Sequence, residues 1–155
     1  MSGRAMTDVH RELEALIGRT GPVLRGGVLV RDIERYAVAC GEEVAERMAA
    51  PPMMLPSVIE WGAGPPLDKL RGDGTGVGRE SWLPLEGLRL MGGGQDLWFH
   101  RTVTAGTEFV AEPALESVTL KQGSAGEMVL MVITTEFRTT HGVDLVTCRE
   151  TLIAR

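Results

Sequence analysis

The sequence lacks the features that mark several large classes of protein. It has no run of basic residues longer than two and carries a formal net charge of −5, so it offers no electrostatic footprint for nucleic acid or anionic lipid. Its longest apolar run, Met128–Ile133, has six residues, whereas a membrane-spanning helix needs about 20. We therefore expect a protein that binds small molecules or other proteins, not nucleic acid or a membrane.

Cysteine and histidine are scarce and scattered. Cys40 and Cys148 form no C-x-x-C motif, and the N-terminal stretch is too polar for a signal peptide, which together favour reduced thiols in a cytoplasmic protein. The histidines, His10, His100 and His141, form no H-x-x-x-H pair and no cluster with cysteine. The sequence therefore predicts no metal site.

Two glycine-rich stretches resemble known motifs at first sight but do not match them. In GDGTGVG, residues 72–78, Val77 breaks the G-x-G-x-x-G pattern and no Gly-Lys-Ser/Thr follows, so a flexible loop is the better interpretation. QGSAG, residues 122–126, has glutamine where a nucleophile elbow needs its first glycine. The sequence therefore predicts neither a phosphate loop nor a serine hydrolase.

The chain is long enough for one domain, residues 1–155, with a hydrophobic core. Its first half has helical periodicity. A short amphipathic helix is predicted after a cap at Thr7 or Asp8, ending at Gly18, with an apolar face of Val9, Leu13, Leu16 and Ile17. A brief strand at Val28–Val30 is expected next, followed by a helix capped by Asp32 and closed by Gly41, with an apolar face of Ile33, Tyr36, Ala37 and Cys40.

A third helix is predicted in APPMMLPSVIEWG, residues 50–62. This segment is apolar almost all round, which indicates a buried helix. Pro56 would remove a backbone donor, so the helix begins one turn late or is kinked. The glycine-rich residues 62–91 that follow show no sustained period. We expect this long loop to be the least ordered part of the chain, as a lid, a binding loop or a disordered segment.

The second half has the composition of β-strands. Segments 96–103, 108–122, 126–140 and 143–154 are rich in Val, Ile, Thr and aromatic residues and are separated by turn signals. They predict a four-stranded antiparallel meander. In the second strand the apolar residues change from odd-numbered to even-numbered positions between Pro113 and Ser117, which predicts a β-bulge. The six apolar residues of the third strand predict a central strand covered on both faces, one of them by a second subunit.

Asp96 and His100 have the spacing of a helical dyad, but they lie on a predicted strand. At ~3.3 Å per residue, four residues of strand separate them by about 13 Å, so they cannot hydrogen-bond to each other. His100 is then either a histidine beside a strand end that makes its hydrogen bonds within the protein, or a residue that faces a ligand.

Several stretches together resemble a known family: IGRTGPV (17–23), RDIERYAVACGE (31–42), APPMML (50–55), GGGQDLWFHRTVTAGTEF (92–109) and TCRETLIAR (147–155). They are similar to the MaoC-like hydratase/dehydratase superfamily, and in particular to its N-terminal FAS1-like dehydratase domains. The resemblance implies the α+β hot-dog fold, in which an antiparallel sheet wraps around a central apolar helix.

The resemblance also implies a reaction. Such proteins hydrate enoyl thioesters of coenzyme A or acyl carrier protein, or dehydrate the 3-hydroxy forms, without a further cofactor. An Asp and a His activate the water, and N–H groups at the start of the buried helix hold the thioester carbonyl. Here the corresponding interval, residues 41–52, contains no Asp, His or Asn, and Ala50-Pro51-Pro52 replaces the family's A-H-G. The second proline has no N–H to donate.

By resemblance, this chain is therefore expected to be a non-catalytic half that shapes the acyl channel, while a MaoC-like partner supplies the dyad. The candidate channel residues are Met53, Trp61, Gly92, Gly93, Gly94, Gln95 and His100. Two alternatives remain open: a hot-dog thioesterase that uses Glu43 or Glu46 to activate water, and a non-catalytic homodimer that binds acyl-CoA. A dimer is expected in each case, with itself or with the catalytic partner.

Overall fold

A computed structural model describes residues 4–43, 49–58, 66–70, 80–124 and 126–155 of the chain. Three α-helices come first: α1 (Met6–Glu14), α2 (Val30–Cys40), which follows strand β1 (Leu24–Gly27), and α3 (Met54–Val58). A 3-10 turn at Leu67–Lys69 precedes the long strands. These are β2 (Leu90–Phe99), β3 (Glu108–Gly123), β4 (Gly126–Thr139) and β5 (Asp144–Ala154).

The strands form one antiparallel sheet in the order β1-β3-β4-β5-β2. The predicted four-stranded meander is therefore wrong in one respect, because β2 pairs with β5 at an edge and not with β3. The reason lies in the turn at residues 104–107. Val28 donates its amide to Thr107 O and accepts from Gly106 N, so this turn is tied to the chain before α2 and does not close a β2–β3 hairpin.

The predicted bulge in β3 is confirmed. The register of β3 against β4 shifts between Leu115 and Ser117, which leaves Glu116 as the extra residue. Leu115 before the bulge and Val118 after it both pack on the same hydrophobic cluster. One additional residue therefore restores the inward phase that the sequence loses at this point.

Both predicted N-terminal helices form, but only part of each predicted apolar face is buried, namely Val9 and Leu13 in α1 and Ile33 and Ala37 in α2. Ile17 lies beyond the end of α1 and Cys40 is exposed.

Ala5 is the N-cap of α1 and Leu29 that of α2, and neither makes a side-chain capping bond, so the predicted caps at Thr7, Asp8 and Asp32 are wrong. Asp8 and Asp32 lie in the first turns, where a carboxylate favours the helix dipole. The left-handed stop at Gly41 is confirmed, with a φ of 74°. Helix α1 ends earlier than predicted, at Glu14, and Gly18, with a φ of 82°, ends the turns that follow it.

The first strand lies earlier than predicted. The apolar run Val28–Val30 is not a strand, since β1 is Leu24–Gly27 and Val30 already begins α2. Val28 is fully buried between the two elements. A short apolar run does not distinguish a strand from a buried connection, because both remove the same side chains from water.

The third helix begins one turn after Pro51–Pro52, as predicted, since α3 starts at Met54. Pro56 is then in the first turn, where a backbone N–H has no partner within the helix and its loss costs little. Met54 and Leu55 are buried. Residues 59–62 of the predicted helix lie outside the described part of the chain.

The predicted loop at 62–91 is partly wrong. Residues 80–91 are described, and Leu83 and Leu85 are 3% and 7% exposed within the core, while Leu90 already begins β2. Four leucines, at residues 83, 85, 88 and 90, therefore anchor this half of the segment. GDGTGVG lies outside the described residues.

The core has two clusters of buried side chains on the inner face of the sheet. The α3 cluster consists of Val28, Ile33, Met54, Leu55, Val103, Phe109, Ala111, Phe137, Leu145, Val146 and Cys148. The α1 cluster consists of Val9, Leu13, Leu83, Leu85, Leu115, Val129, Met131, Ile133 and Ala154. Strand β4 contributes to both. Its alternate residues are buried while those between are half-buried, so coverage of the second face by a partner stays a prediction.

The outer face of the sheet is strongly polar in its middle. Arg149 on β5 makes a bidentate contact with Glu116 at the β3 bulge, with N–O distances of 2.8 to 3.0 Å. Arg138 on β4 contacts Glu112, Glu136 and Asp144. None of the helices in the described part of the chain is long and apolar enough to cross a membrane.

Candidate functional site

A cavity of about 350 Å³ lies where the chain enters α3. Its walls come from the segment before α3, from the end of β2 and the residues that follow it, and from the start of β5. The lining residues are Ala50, Pro51, Pro52, Leu55, Phe99, His100, Arg101, Thr102, Val103 and Val146. The volume is at the lower end of the range for small-molecule sites.

Backbone hydrogen bonds hold these walls together. Ala50 N donates to Val103 O at 2.8 Å, and Ala49 forms an isolated antiparallel bridge with Thr104. His100 N and Arg101 N both donate to Leu145 O, at 2.9 and 3.3 Å. The entry to α3, the end of β2 and the start of β5 are therefore fixed relative to one another.

The interior of the cavity is apolar. Leu55, Val103 and Val146 are 2%, 6% and 2% exposed and belong to the α3 cluster. Pro51 and Pro52 line the side on which α3 begins, and neither carries a backbone N–H. This wall can therefore contact a hydrocarbon chain, but these two residues cannot donate hydrogen bonds to a carbonyl oxygen.

The mouth of the cavity is polar, because His100, Arg101 and Thr102 are exposed. His100 Nε2 lies 2.9 Å from Thr147 Oγ1. Thr147 Oγ1 donates in turn to Glu136 Oε2 at 3.5 Å, and Arg138 Nη2 donates to the same carboxylate oxygen at 3.2 Å. We call His100, Thr147 and Glu136 the His100 relay.

Of the predicted channel residues, His100 alone lines the cavity among those described. Met53 is 45% exposed and directly follows the lining residue Pro52. Gly92–Gly94 and Gln95 lie on the edge strand β2, and Trp61 lies outside the described residues. The part that these residues play in ligand binding stays a prediction.

The three glycines of β2 have a structural role. The register of β2 against β5 shifts between Gly92 and Gly94, and Gly94 has a φ of 147°. A Cβ on Gly93 would come within 3.0 Å of Thr151 Cγ2. The bulge and its backbone conformation favour glycine at residue 94, and the close cross-strand contact favours it at residue 93, whereas a Cβ on Gly92 would meet nothing within 4 Å.

Asp96 and His100 do not act together. Asp96 is opposite Arg149 in the β2–β5 ladder, whereas His100 is bound to Thr147. The spacing in a strand correctly separates this pair, but it does not predict Thr147, the partner of His100, or Glu136, the partner of Thr147. They lie on β4 and β5, and no local spacing in the sequence indicates which residues of distant strands share a register.

A second polar cluster lies between α2 and α3. Burial raises the pKa of Tyr36, and the thiol of Cys40 raises it further, while a hydrogen bond with Ser57 opposes the shift. Ser57 Oγ also donates to Met53 O at 3.1 Å. The residues that the structure describes contain no group of three His, Cys, Asp or Glu side chains able to hold a metal ion.

Solved structures share this fold. The chain aligns with the ChsH1-ChsH2 complex from Mycobacterium tuberculosis at 14% identity and a TM-score of 0.70, covering 96% of this chain and 89% of that one. It aligns with the HadBC (3R)-hydroxyacyl-ACP dehydratase complex from the same organism at 14% identity and a TM-score of 0.64, covering 89% of this chain and 96% of that one. It aligns with the (R)-hydratase from A. caviae involved in PHA biosynthesis at 16% identity and a TM-score of 0.59, covering 88% of this chain and 94% of that one.

These structures confirm the α+β hot-dog fold. No curated protein sequence matches the chain significantly. Residues 16–148 match the family described as FAS1-like, dehydratase domain region, which covers most of the chain, including α2, α3, the cavity and the first four strands of the sheet. The chain therefore belongs to the family of FAS1-like dehydratase domain regions.

Proposed function

We propose that the chain is one subunit of an acyl-thioester hydratase or dehydratase, in which it provides the pocket for the acyl chain. The observation that carries this proposal is the cavity at the entry to α3, with its buried apolar wall of Leu55, Val103 and Val146. The proline pair on that wall cannot supply the amide donors that polarise a thioester carbonyl. The proton-transferring dyad then comes from a MaoC-like partner subunit.

The structural neighbours support a heteromeric assembly. Both ChsH1-ChsH2 and HadBC are complexes of two different chains, and the second is a hydroxyacyl-ACP dehydratase. This chain would occupy the position of one member of such a pair. Its substrate would be an enoyl or 3-hydroxyacyl thioester of coenzyme A or acyl carrier protein, and the reaction would need no additional cofactor.

The state of the cysteines agrees with a cytoplasmic location for such an enzyme. Neither Cys40 nor Cys148 is in a disulfide, although Cys40 is exposed. Thiols persist in reducing compartments, and the cytoplasm is where we place this subunit.

Hydration of crotonyl-CoA and of a longer enoyl-CoA tests the proposal. The purified chain should be inactive alone and active in a mixture with its MaoC-like partner, monitored by loss of the enoyl absorbance. Activity of the chain alone would contradict the assignment of the dyad to a partner. Binding of acyl-CoA without turnover in any mixture would instead favour a binding protein.

A matched pair of variants links the activity to the cavity. Thr102→Trp places an indole at the mouth, where Thr102 is exposed. Val38→Trp places the same group on the outside of α2, at a residue that is 71% exposed. The mixture containing Thr102→Trp should lose activity with long acyl chains, while the one containing Val38→Trp should retain it. Equal activity of the two mixtures would contradict the proposal that this cavity binds the acyl chain.

A further inference from the structure

Strand β1 forms the edge of the sheet opposite β2. Val28 N donates to Thr107 O, and Val28 O accepts from Gly106 N, so both backbone groups of residue 28 point toward β3. Because these groups change sides at each residue of a strand, those of Gly26 also face β3, while those of Arg25 and Gly27 face away from the sheet. Within the described residues, no strand pairs with this edge.

The outer face of the sheet carries two opposite charges beside this edge. The ring of Phe109 lies on the inner face, against Gly26, so strand alternation puts Arg25, Gly27 and Glu108 on the outer face. Arg25 and Glu108 are exposed, and neither is among the ion pairs that the described residues form.

Gly27 leaves a space between these charges. It lies directly opposite Glu108 in the β1–β3 ladder, and it has no side chain to cover that carboxylate. A cavity of about 360 Å³ opens here, lined by Arg25, Gly26, Gly27, Glu108, Phe109 and Thr140. A cationic side chain that crosses Gly27 from outside the edge can therefore reach Glu108.

Apolar side chains flank the same edge. Val23, before β1, is 51% exposed, and Leu29, after it, is 52% exposed. Leu29 still has an extended backbone, with φ −93° and ψ 146°. An antiparallel pairing of two copies centred on Gly26 would place Val23 of one copy opposite Leu29 of the other, so that each covers the other.

We propose that this edge is an interface between two copies of this chain, whose β1 strands pair antiparallel about Gly26. Arg25 then lies opposite Gly27 of the other copy, and their free backbone groups exchange hydrogen bonds. The side chain of Arg25 crosses Gly27 of the other copy to reach Glu108 beyond it. The two Cα atoms are about 10 Å apart, two strand spacings, which the two side chains together span. The twofold symmetry forms this ion pair twice.

The interface is separate from the cavity at the entry to α3. That cavity is lined by the end of β2 and the start of β5, and β3 and β4 lie between these strands and β1. Pairing through β1 therefore leaves the cavity open to a catalytic subunit. It joins two copies of this chain whatever reaction the cavity serves.

Cysteine cross-linking tests the register. The background is Cys40→Ser, which removes the exposed native thiol. Under mild oxidation, a mixture of Val23→Cys and Leu29→Cys should form a disulfide-linked dimer, because opposed residues of this kind have Cα atoms about 5.5 Å apart. Each variant alone should remain monomeric on a denaturing gel, since its own thiols are about 20 Å apart across the interface. Equal cross-linking of one variant alone would contradict the register.

A charge exchange tests the ion pair. Sedimentation velocity of the chain alone should show a dimer whose dissociation constant rises with salt. Arg25→Glu should raise that constant by about tenfold or more, because two carboxylates then meet, and adding Glu108→Arg should restore it. Arg89→Glu is the matched control, since Arg89 is exposed beside the opposite edge of the sheet, and it should leave the constant unchanged.

Two results would overturn the proposal. One is a chain that stays monomeric at every concentration. The other is a dimer that Arg25→Glu does not weaken and that gives no cross-link between residues 23 and 29. Either result leaves the acyl pocket in place, because hydration of enoyl-CoA by the mixture with a catalytic partner tests that pocket separately.

Discussion

Gly26 in β1 lies directly against the ring of Phe109 in β3. A Cβ atom on residue 26 would come within 2.5 Å of Phe109 Cζ. Phe109 is 1% exposed, and its ring centroid lies 5.8 Å from that of Phe137. The absence of a side chain at residue 26 thus allows an aromatic pair to fill the centre of the α3 cluster.

We predict that Gly26→Ala destabilises the protein by about 1–3 kcal/mol, because the added methyl group must displace a buried ring. Gly27→Ala is the matched control in the same strand, since a Cβ there meets only Thr107 O at 3.9 Å. Urea unfolding of the two variants measures the difference. Equal free energies of unfolding would show that Phe109 moves without cost.

The apolar face of α1 predicts a second contrast. Leu13 is fully buried, whereas Ile17, which follows the end of the helix, is 44% exposed. Leu13→Ala should lower the free energy of unfolding by about 2–5 kcal/mol, and Ile17→Ala by less than about 1 kcal/mol. Thermal unfolding of both variants provides the test. A large loss from Ile17→Ala would place that side chain in an interface.

The pair formed by Glu116 and Arg149 predicts a pH dependence of stability. The hydrogen bond from Arg149, together with that from Thr134, holds the pKa of Glu116 below its ordinary value of 4.5. Because the pKa is lower in the folded state, this stabilisation is complete above pH 4.5 and is lost as the pH falls through the folded-state pKa.

Glu116→Gln should therefore be less stable than the wild type at pH 7, and the difference should decline on acidification. Urea unfolding at pH 7 and at successive values below pH 4.5 checks this. The difference at pH 7 should also shrink in high salt, because both side chains are partly exposed. A difference that stays constant with pH would mean that the charge of Glu116 does not contribute.

The two thiols should react very differently. Cys40 is exposed on α2, and Cys148 is fully buried in the α3 cluster. In native protein, a thiol reagent such as Ellman's reagent should modify one cysteine rapidly and the other only after denaturant is added. Cys40→Ser should abolish the rapid phase. Rapid modification of Cys148 would show that the α3 cluster opens readily.

The local features of this fold could be predicted from the sequence, because local patterns encode them. Gly41 ends α2, and the phase slip around Leu115 and Ser117 marks the bulge. The position of β2 could not be predicted, because the turn at residues 104–107 bonds to Val28, and the sequence does not display a contact of that range. The N-caps also differ, since Ala5 and Leu29 have no side-chain acceptor to identify them.

The candidate site was predicted in part for the same reason. His100 was identified because a histidine beside a strand end is conspicuous. Thr147 and Glu136, which orient it, look like ordinary strand residues in the sequence. Their roles depend on the pairing of β4 with β5, in which Glu136 lies opposite Thr147.

The place of β2 in the sheet has a consequence for the order of folding. Its ladder with β5 joins residues as distant as Leu90 and Ala154, with β3 and β4 lying between the two in sequence. When β2 leaves the ribosome its partner β5 has not yet been made, so Leu97, which packs against the α3 cluster in the folded protein, stays exposed to water until then. Pairings of such long range close slowly, and we infer that the nascent chain is most prone to self-association during this interval.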